Sequence, residues 1–306
     1  MTLPWERAAR RIGRDAFDAL VEMPGSALAS LLLEVYAKRA DALTPADVLR
    51  RFNDDAFVTP SPVDQREMLR LDAHLLAHIP SQFEAVELSP LAPFGTCSAM
   101  APVDAKKVLA TIRNTEVLSD PTNVMAMICA RRRDREDEIR LCNTQRLVRT
   151  TRVRDTGHSQ HFRILTMCTA GRDRGNQLFE ENAVVEHLDV LLTLMTTLPS
   201  DYVVDELAIT LACAAGQPCD RIRARLAERW PSVEIRADEE RLGKSAYYKG
   251  IAFKLWVGRA GGPTLPLGDG GLVDWTARLR ADRKERLMIS AIGTEVLAKL
   301  FGVRRP

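Results

Sequence analysis

Two apolar segments on either side of a short polar loop constrain the fold of this chain more than any other feature. Residues 141–153 and 161–169 have the composition of strands, and the loop between them carries Asp155, Gly157 and Ser159. Two strands joined by such a connection pair antiparallel. The pattern therefore predicts an antiparallel hairpin in the middle of the chain.

Helices and strands are distributed unevenly along the rest of the sequence. The first 58 residues show only helical spacing of apolar positions, and the Pro-rich segment Thr59-Pro60-Ser61-Pro62 follows. Beyond it we predict strands at 83–88, 203–213, 251–257, 271–275 and 286–290, and helices at 63–79, 103–112, 124–133, 183–198, 220–230 and 294–301. Strands with helices between them indicate an α+β fold or a mixed sheet. We expect a helical N-terminal region, residues 1–62, and a core domain, residues 63–306.

Composition and charge argue against several classes of protein. The chain has 306 residues, 46% of them hydrophobic, which is enough for a sizeable core. Lys plus Arg number 43 and Asp plus Glu 41, so there is no global positive field of the kind that concentrates nucleic acid. Because the N-terminus lacks a secretory signal and no apolar run could span a bilayer, we predict a cytoplasmic protein without a membrane partner.

The cysteines and histidines argue against a metal site. The six cysteines are scattered along the chain, and no two of them form a Cys-x-x-Cys motif. We therefore expect buried free thiols rather than a zinc ribbon or a disulfide framework. His158, His161 and His187 are dispersed, with no thiol or carboxylate at the spacing of zinc ligands. We predict no metal bound by the protein alone.

Two motifs near the C-terminal end carry a family resemblance. The pair Tyr247-Tyr248 opens a strand that reaches Phe253, and Gly270-Gly271-Leu272-Val273-Asp274 follows some twenty residues later. In this order they resemble the histidine-binding signatures of histidyl-tRNA synthetases, which are class II aminoacyl-tRNA synthetases. Residues 68–90 then resemble motif 1 of that class, residues 146–170 motif 2 and residues 289–295 motif 3. The resemblance covers about residues 65–302 and implies an α+β class II fold, an antiparallel sheet flanked by helices.

The resemblance also implies a ligand site. Segment 117–122 stands where the family carries a loop that faces the α-amino group of an amino acid. Arg149 lies near the position of the family's ATP-binding arginine, and His161-Phe162 lies near the position of its adenine-stacking phenylalanine. The candidate ligand-binding residues are Glu116, Asp120, Thr122, Arg149, Arg152, His161, Phe162, Arg241, Lys244, Tyr247, Tyr248, Gly270, Gly271 and Asp274.

Structural roles compete with these assignments. The segment around Asp120 suits an Asx-type turn, with Thr122 or Asn123 as a helix cap, as well as a ligand contact. Arg152 and Arg154 fall on one face of a strand, near Arg149, where a cluster of arginines suits triphosphate or carboxylate binding but also simple solubility. For the Gly- and Arg-rich segment 169–175 we favour a solvated turn over a phosphate-binding one.

Departures from the family pattern bear on activity. Val296 stands where motif 3 supplies a phosphate-binding arginine. Gly243 stands where the family has another arginine, which promotes adenylate formation, although Arg241 or Lys244 could reach the same space. Leu272-Val273 stands where the family motif has the tyrosine that would orient an imidazole, so that tyrosine is absent here. The sequence ends just after the motif 3 segment, which leaves no room for an anticodon-binding domain. We therefore expect neither histidyl-tRNA synthesis nor a tRNA partner.

Three functional hypotheses follow. The first is a histidyl-tRNA synthetase-like paralogue, a homodimer that binds an amino acid or related small molecule and acts as a regulatory subunit of a metabolic enzyme. Such a protein resembles the regulatory partner of short-form ATP phosphoribosyltransferase. The second is an adenylate-forming ligase that uses ATP and Mg²⁺ on an amino acid or small carboxylate. The third is an interaction protein with a vestigial pocket.

Overall fold

Four helices at the N-terminus bury almost none of their side chains. The computed structural model describes residues 3–150, 159–244 and 246–303. Its first helices are α1 (Pro4–Ile12), α2 (Arg14–Glu22), α3 (Gly25–Asp41) and α4 (Pro45–Asp54). Thr44 caps α4, since its hydroxyl accepts a hydrogen bond from the Asp47 N–H at 3.2 Å. Ala9 is the one buried residue among residues 3–62. The predicted helices of this region are confirmed, and the domain boundary at residue 62 stays a prediction.

The remaining elements alternate between helices and strands. The first set is α5 (Gln65–His78), β1 (Glu84–Ala85), β2 (Leu91–Pro93), α6 (Thr96–Met100), β3 (Thr115–Val117), α7 (Pro121–Arg132), β4 (Ile139–Val148) and β5 (His161–Arg172). The second set is α8 (Leu178–Thr196), β6 (Glu206–Cys213), α9 (Cys219–Arg229), β7 (Glu234–Ala237), α10 (Arg241–Lys244), β8 (Ile251–Gly258), β9 (Leu265–Val273), α11 (Trp275–Arg280), β10 (Glu285–Ile292) and α12 (Thr294–Phe301). Within these described ranges, no helix combines the length and apolar character needed to span a bilayer.

One large sheet organises the core. Its strand order is β1-β4-β5-β10-β9-β8-β6-β7, and a two-stranded sheet pairs β2 with β3. The pairs β1–β4 and β6–β7 at the two edges are parallel, whereas the pairs between them are antiparallel. The hairpin expected in the middle of the chain is confirmed, because β4 and β5 pair from Ile139 opposite Ala170 to Val148 opposite His161.

Alternation along the strands divides the core between the two faces of this sheet. On β5, Met167 belongs to one apolar cluster and Cys168 to the other, and Met288 and Ile289 of β10 divide in the same way. The larger cluster contains α5, α8, α9 and α12, and we call this side the closed face. The smaller cluster contains α7 and Trp275 of α11, on the side that we call the open face.

Three predicted elements differ from the structure. Segment 103–112 is not a helix: only a 3₁₀ turn, Ala105–Lys107, forms, because the Asp104 carboxylate accepts the Lys106 N–H at 2.9 Å and the following residues turn back to pair with β3. The strand predicted at 83–88 shortens to β1. The strand predicted at 271–275 ends at Val273, since Trp275 begins α11.

The expectation that all six thiols are free is wrong for one pair. Cys213 ends β6 and Cys219 begins α9, and the turn between them brings their Cα atoms to 6.4 Å, where they form a disulfide. Cys97, Cys129, Cys142 and Cys168 are free and buried. Sequence spacing missed the pair because its closeness depends on how the strand and helix meet.

Candidate functional site

A cavity of about 480 Å³ opens on the open face of the sheet. That volume lies within the roughly 300–1,000 Å³ typical of small-molecule sites. Its floor includes Ile164 of β5 and Ile289 of β10, and its roof includes Val103 and Val108. Six of the residues predicted from the sequence line it: Asp120, Thr122, Arg149, Arg241, Tyr247 and Tyr248.

Asp120 joins the start of α7 to the tyrosine pair. One carboxylate oxygen accepts hydrogen bonds from the Thr122 N–H at 3.0 Å and the Thr122 hydroxyl at 2.6 Å. The other oxygen accepts the Tyr247 hydroxyl at 2.5 Å. Asp120 is therefore a helix cap and a cavity-lining carboxylate at once, and it takes the capping role expected for Thr122 or Asn123.

Asp269 makes the equivalent link on the neighbouring side of the cavity. Its carboxylate accepts the Tyr248 hydroxyl at 3.1 Å and an Arg241 guanidinium N–H at 3.0 Å. Arg241 also donates to the Phe253 carbonyl at 2.8 Å, and its guanidinium carbon lies 5.4 Å from the centre of the Tyr248 ring. The Arg241 side chain is only 12% exposed, whereas that of Asp269 is 49% exposed.

The two tyrosines stay protonated in this environment. Burial raises the pKa of Tyr247 well above its ordinary value, and the negative charge of Asp120 raises it further. Burial likewise raises the pKa of Tyr248, and the charge of Asp269 adds to that shift. Both hydroxyls are therefore hydrogen-bond donors at neutral pH, and each donates to a carboxylate.

Arg149 stands at the end of β4 with most of its donors free. Its Nε donates to the Ser119 carbonyl at 3.1 Å, and its guanidinium carbon lies 5.3 Å from the centre of the Phe162 ring. Among the described residues it has no ion-pair partner. Phe162 therefore supports Arg149 from below and does not itself line the cavity.

His161 is occupied by contacts with the protein. One ring nitrogen accepts from Arg146 at 2.8 Å, and the other donates to the Thr59 carbonyl at 2.6 Å. The second guanidinium nitrogen of Arg146 lies 2.7 Å from the Glu295 carboxylate. These contacts tie the Pro-rich segment to the core, and they place His161 outside the cavity lining.

Glu116 shapes the roof without lining the cavity. Its carboxylate accepts the N–H groups of Gly95 at 2.8 Å and Cys97 at 2.9 Å, at the start of α6. Arg278 holds the other end of α6 through the carbonyls of Ala99 at 2.5 Å and Met100 at 2.9 Å. Glu116, a candidate ligand-binding residue from the sequence, therefore positions the roof without lining the cavity.

The two glycines have packing roles, and Asp274 lies outside the cavity lining. A Cβ on Gly271 would lie 2.6 Å from the Tyr248 ring and 2.5 Å from the Ile251 carbonyl, so glycine is needed for the tyrosine to pack against β9. A Cβ on Gly270 would lie 2.6 Å from the Phe253 ring. Asp274 precedes α11, 3.8 Å from Arg278, and does not line the cavity. Asp269 occupies the place in the site that the motif suggested for Asp274.

The remaining residues named in the sequence lie outside the cavity lining or outside the described residues. Lys244 extends into solvent and pairs with Glu240 at 2.5 Å. Val296 is 5% exposed and packs in the larger core cluster of the closed face. Arg152 lies outside the described residues, as does Arg154.

The cavity lining also includes polar residues that are not among the candidate ligand-binding residues. Among them are Cys97, Lys107, Ser119 and Asp269. Burial raises the pKa of the Cys97 thiol, so it is a neutral wall residue. Lys107 was missed because its segment had the spacing of a helix, and Asp269 because only strand pairing brings it beside Tyr248. Across residues 3–150, 159–244 and 246–303, no three His, Cys, Asp or Glu side chains are placed to hold a metal ion.

Strand order and site position together define the fold. The chain has the fold of the class II synthetase-like core seen in structures of histidyl-tRNA synthetase. A Bacillus halodurans structure titled ATP phosphoribosyltransferase regulatory subunit/histidyl-tRNA synthetase matches with a TM-score of 0.59 and 12% identity, over 81% of this chain and 83% of that one. No model of a known protein family and no curated protein matches the sequence.

Two further solved structures are similar. The apo histidyl-tRNA synthetase of S. aureus matches with a TM-score of 0.59 and 12% identity, over 78% of this chain and 66% of that one. A histidine–tRNA ligase subunit from Alicyclobacillus acidocaldarius matches with a TM-score of 0.55 and 13% identity, over 79% and 94%. These likenesses establish the fold and leave the activity to be argued from the site.

Proposed function

We propose that this protein binds an amino acid or a closely related small molecule in the open-face cavity and acts as a regulatory subunit of a metabolic enzyme, without charging tRNA. The observation that carries the proposal is the convergence of Asp120, Tyr247, Tyr248 and Asp269 on one cavity. A cavity that places carboxylates opposite a free guanidinium suits a zwitterion. In this arrangement the α-ammonium group of the ligand faces Asp120, and its carboxylate faces Arg149.

The residues in the first turn of α12 favour a regulatory role over adenylate formation. Adenylate formation needs cations on the phosphates of ATP, and an uncharged Val296 packed in the core cannot donate to them. Its neighbour Glu295 is a fully buried carboxylate, 3.0 Å from Lys299 and 2.7 Å from Arg146. Both cations are therefore already engaged in ion pairs with the protein.

The partners and location of the protein are part of the same proposal. The similar Bacillus halodurans structure is that of an ATP phosphoribosyltransferase regulatory subunit/histidyl-tRNA synthetase. This similarity supports a partner enzyme for this chain as well. We propose a cytoplasmic homodimer that uses residues 68–90, the α5 and β1 region. Leu69 of α5 is 54% exposed and is available to a second copy. Sedimentation should give the mass of a dimer at micromolar concentration.

The second candidate is an adenylate-forming ligase that uses ATP and Mg²⁺. The free guanidinium nitrogens of Arg149 favour it, because such a group can bind a phosphate in a bidentate manner. Losing one buried charge-assisted contact costs on the order of 2–5 kcal/mol. We therefore expect ATP to bind at millimolar concentration or not at all.

Calorimetry and pyrophosphate exchange with the twenty amino acids separate the two functions. The regulatory function predicts a calorimetric signal with at least one amino acid, loss of that signal in Asp120→Asn, and no exchange. Asparagine still caps α7, so the variant removes charge while keeping the helix start. Asp64→Asn is the control, since Asp64 caps α5 outside the cavity lining. A micromolar ATP affinity that disappears in Arg149→Ala would make the ligase the better function.

A further inference from the structure

The charges around the cavity do not balance. Five charged side chains line it: Asp120, Asp269, Arg241, Arg149 and Lys107. Arg241 and Asp269 neutralise each other at 3.0 Å, and Asp120 accepts three hydrogen bonds from the protein. Within the part of the chain that the structure describes, Arg149 and Lys107 have no ion-pair partner. Arg149 and Lys107 therefore face the cavity without a direct ion pair, and the five side chains together leave one positive charge in excess.

An amino acid with a neutral side chain would engage only one of these cations. Its ammonium group matches Asp120 and its carboxylate matches Arg149, which leaves Lys107 over the cavity without an anion. A group that a ligand brings between the roof and the end of β4 would meet both cations. Such an arrangement favours a ligand with one more negative charge than a simple zwitterion.

We propose that the natural ligand carries a second anionic group, a carboxylate or a phosphate, which Lys107 and Arg149 bind together. This inference rests on the proposed function and names the chemical class of its ligand. Lys107 is a specificity-determining residue, because it distinguishes an acidic ligand from its neutral analogue and makes no contribution to the core.

The backbone of the roof fixes where Lys107 stands. The Lys107 N–H donates to the Asp104 carbonyl at 2.8 Å, and the Asp104 carboxylate accepts the Lys106 N–H at 2.9 Å. Val108, the next residue, is buried beneath the turn at 8% exposure. The turn is thus held on both sides, and Lys106 does not line the cavity. The chain therefore offers a neighbouring lysine as a matched control.

Calorimetry of the full chain with three matched pairs tests this inference. The pairs are L-aspartate with L-asparagine, L-glutamate with L-glutamine, and O-phospho-L-serine with L-serine. We expect at least one acidic member to bind roughly tenfold or more tightly than its neutral partner, as expected for one charge-assisted contact. Lys107→Gln should abolish that preference, and Lys106→Gln should keep it. The pair that shows the preference distinguishes a carboxylate from a phosphate.

Two results would overturn the inference while leaving the proposed function intact. One is binding of a neutral amino acid with no gain for any acidic partner. The other is an acidic preference that Lys107→Gln leaves unchanged. If neither phosphoserine nor any of the twenty amino acids binds, the proposed function fails and this inference with it. Both lysines are exposed, so the variants should keep the wild-type melting temperature, which circular dichroism would check.

Discussion

On the closed face of the sheet α8 buries His187 between two hydroxyl groups, whereas on the open face Arg149 and Lys107 have no ion-pair partner among the described residues. Ser290 donates to one ring nitrogen of His187 at 2.8 Å, and the other nitrogen donates to Thr169 at 3.0 Å. Thr169 in turn donates to Glu186 at 3.2 Å. Both ring nitrogens of His187 are therefore occupied, whereas Arg149 keeps guanidinium donors that no described residue accepts. Substitutions on the closed face should therefore affect stability, and those on the open face should affect binding.

The largest effect should come from the closed face on acidification. Burial, together with the charge of Arg140, lowers the pKa of His187 to about 3. Between pH 6.5 and 3 the unfolded chain binds a proton that the folded chain refuses, so the free energy of unfolding falls as the pH falls. At about 1.4 kcal/mol per pH unit, the loss from pH 6.5 to 4 is about 3 kcal/mol.

Urea unfolding at both pH values measures this loss. His187→Gln should flatten the dependence, since glutamine can bridge the two hydroxyls without titrating. The other histidines remain in that variant and provide the reference. An equal slope in both proteins would mean that His187 is not the group responsible.

Asp120 belongs to the open face, but its two roles should give it the next largest effect. Asp120→Ala removes the cap of α7 and leaves the Tyr247 hydroxyl without this acceptor, so we expect a loss of about 2–3 kcal/mol. Asp64→Ala removes a helix cap alone and should cost about 1 kcal/mol. Chemical denaturation of both variants gives the difference. Equal losses would show that the Tyr247 bond adds nothing to stability.

Gly271→Ala should have a smaller effect on stability and a clear one on the site. The new Cβ must displace the Tyr248 ring, 2.6 Å away, and we expect a cost of about 1–3 kcal/mol. Gly243→Ala is the control, because its Cβ would have no neighbour within 4 Å. Near-ultraviolet circular dichroism should report the displaced tyrosine in the first variant only. A spectrum unchanged from wild type would mean that β9 shifts instead.

The smallest effect on stability should come from Arg149. Arg149→Gln removes one hydrogen bond to a carbonyl, and we expect less than about 1 kcal/mol in the free energy of unfolding. Binding of any amino acid that the wild type recognises should weaken at least tenfold in calorimetry, because the carboxylate loses its cation. A stability loss comparable to that of Asp120→Ala would contradict the expectation that substitution of Arg149 affects binding and not stability.

Local patterns in the sequence were sufficient for much of the fold and for part of the site. The hairpin and the helices follow from periodicity, and the tyrosine pair follows from a motif whose residues are adjacent in the chain. Asp269 could not be found in this way, because its role depends on pairing between β8 and β9 that sets it opposite Lys254. Asp274 was chosen by spacing, and the start of α11 takes it away from the cavity. Lys107 was hidden by a helical pattern that tertiary contacts override.

The sparse burial of the first four helices has a consequence for their exchange with solvent. Trp5, Val48, Leu49 and Phe52 are each more than 40% exposed. Segments with so little buried apolar surface open locally at almost no cost in free energy. Amide protons of α1 to α4 should therefore be replaced by deuterium long before those of β5 and β10, at the centre of the sheet. A protease should also cut within α1 to α4 first, and the piece that remains should keep its sheet.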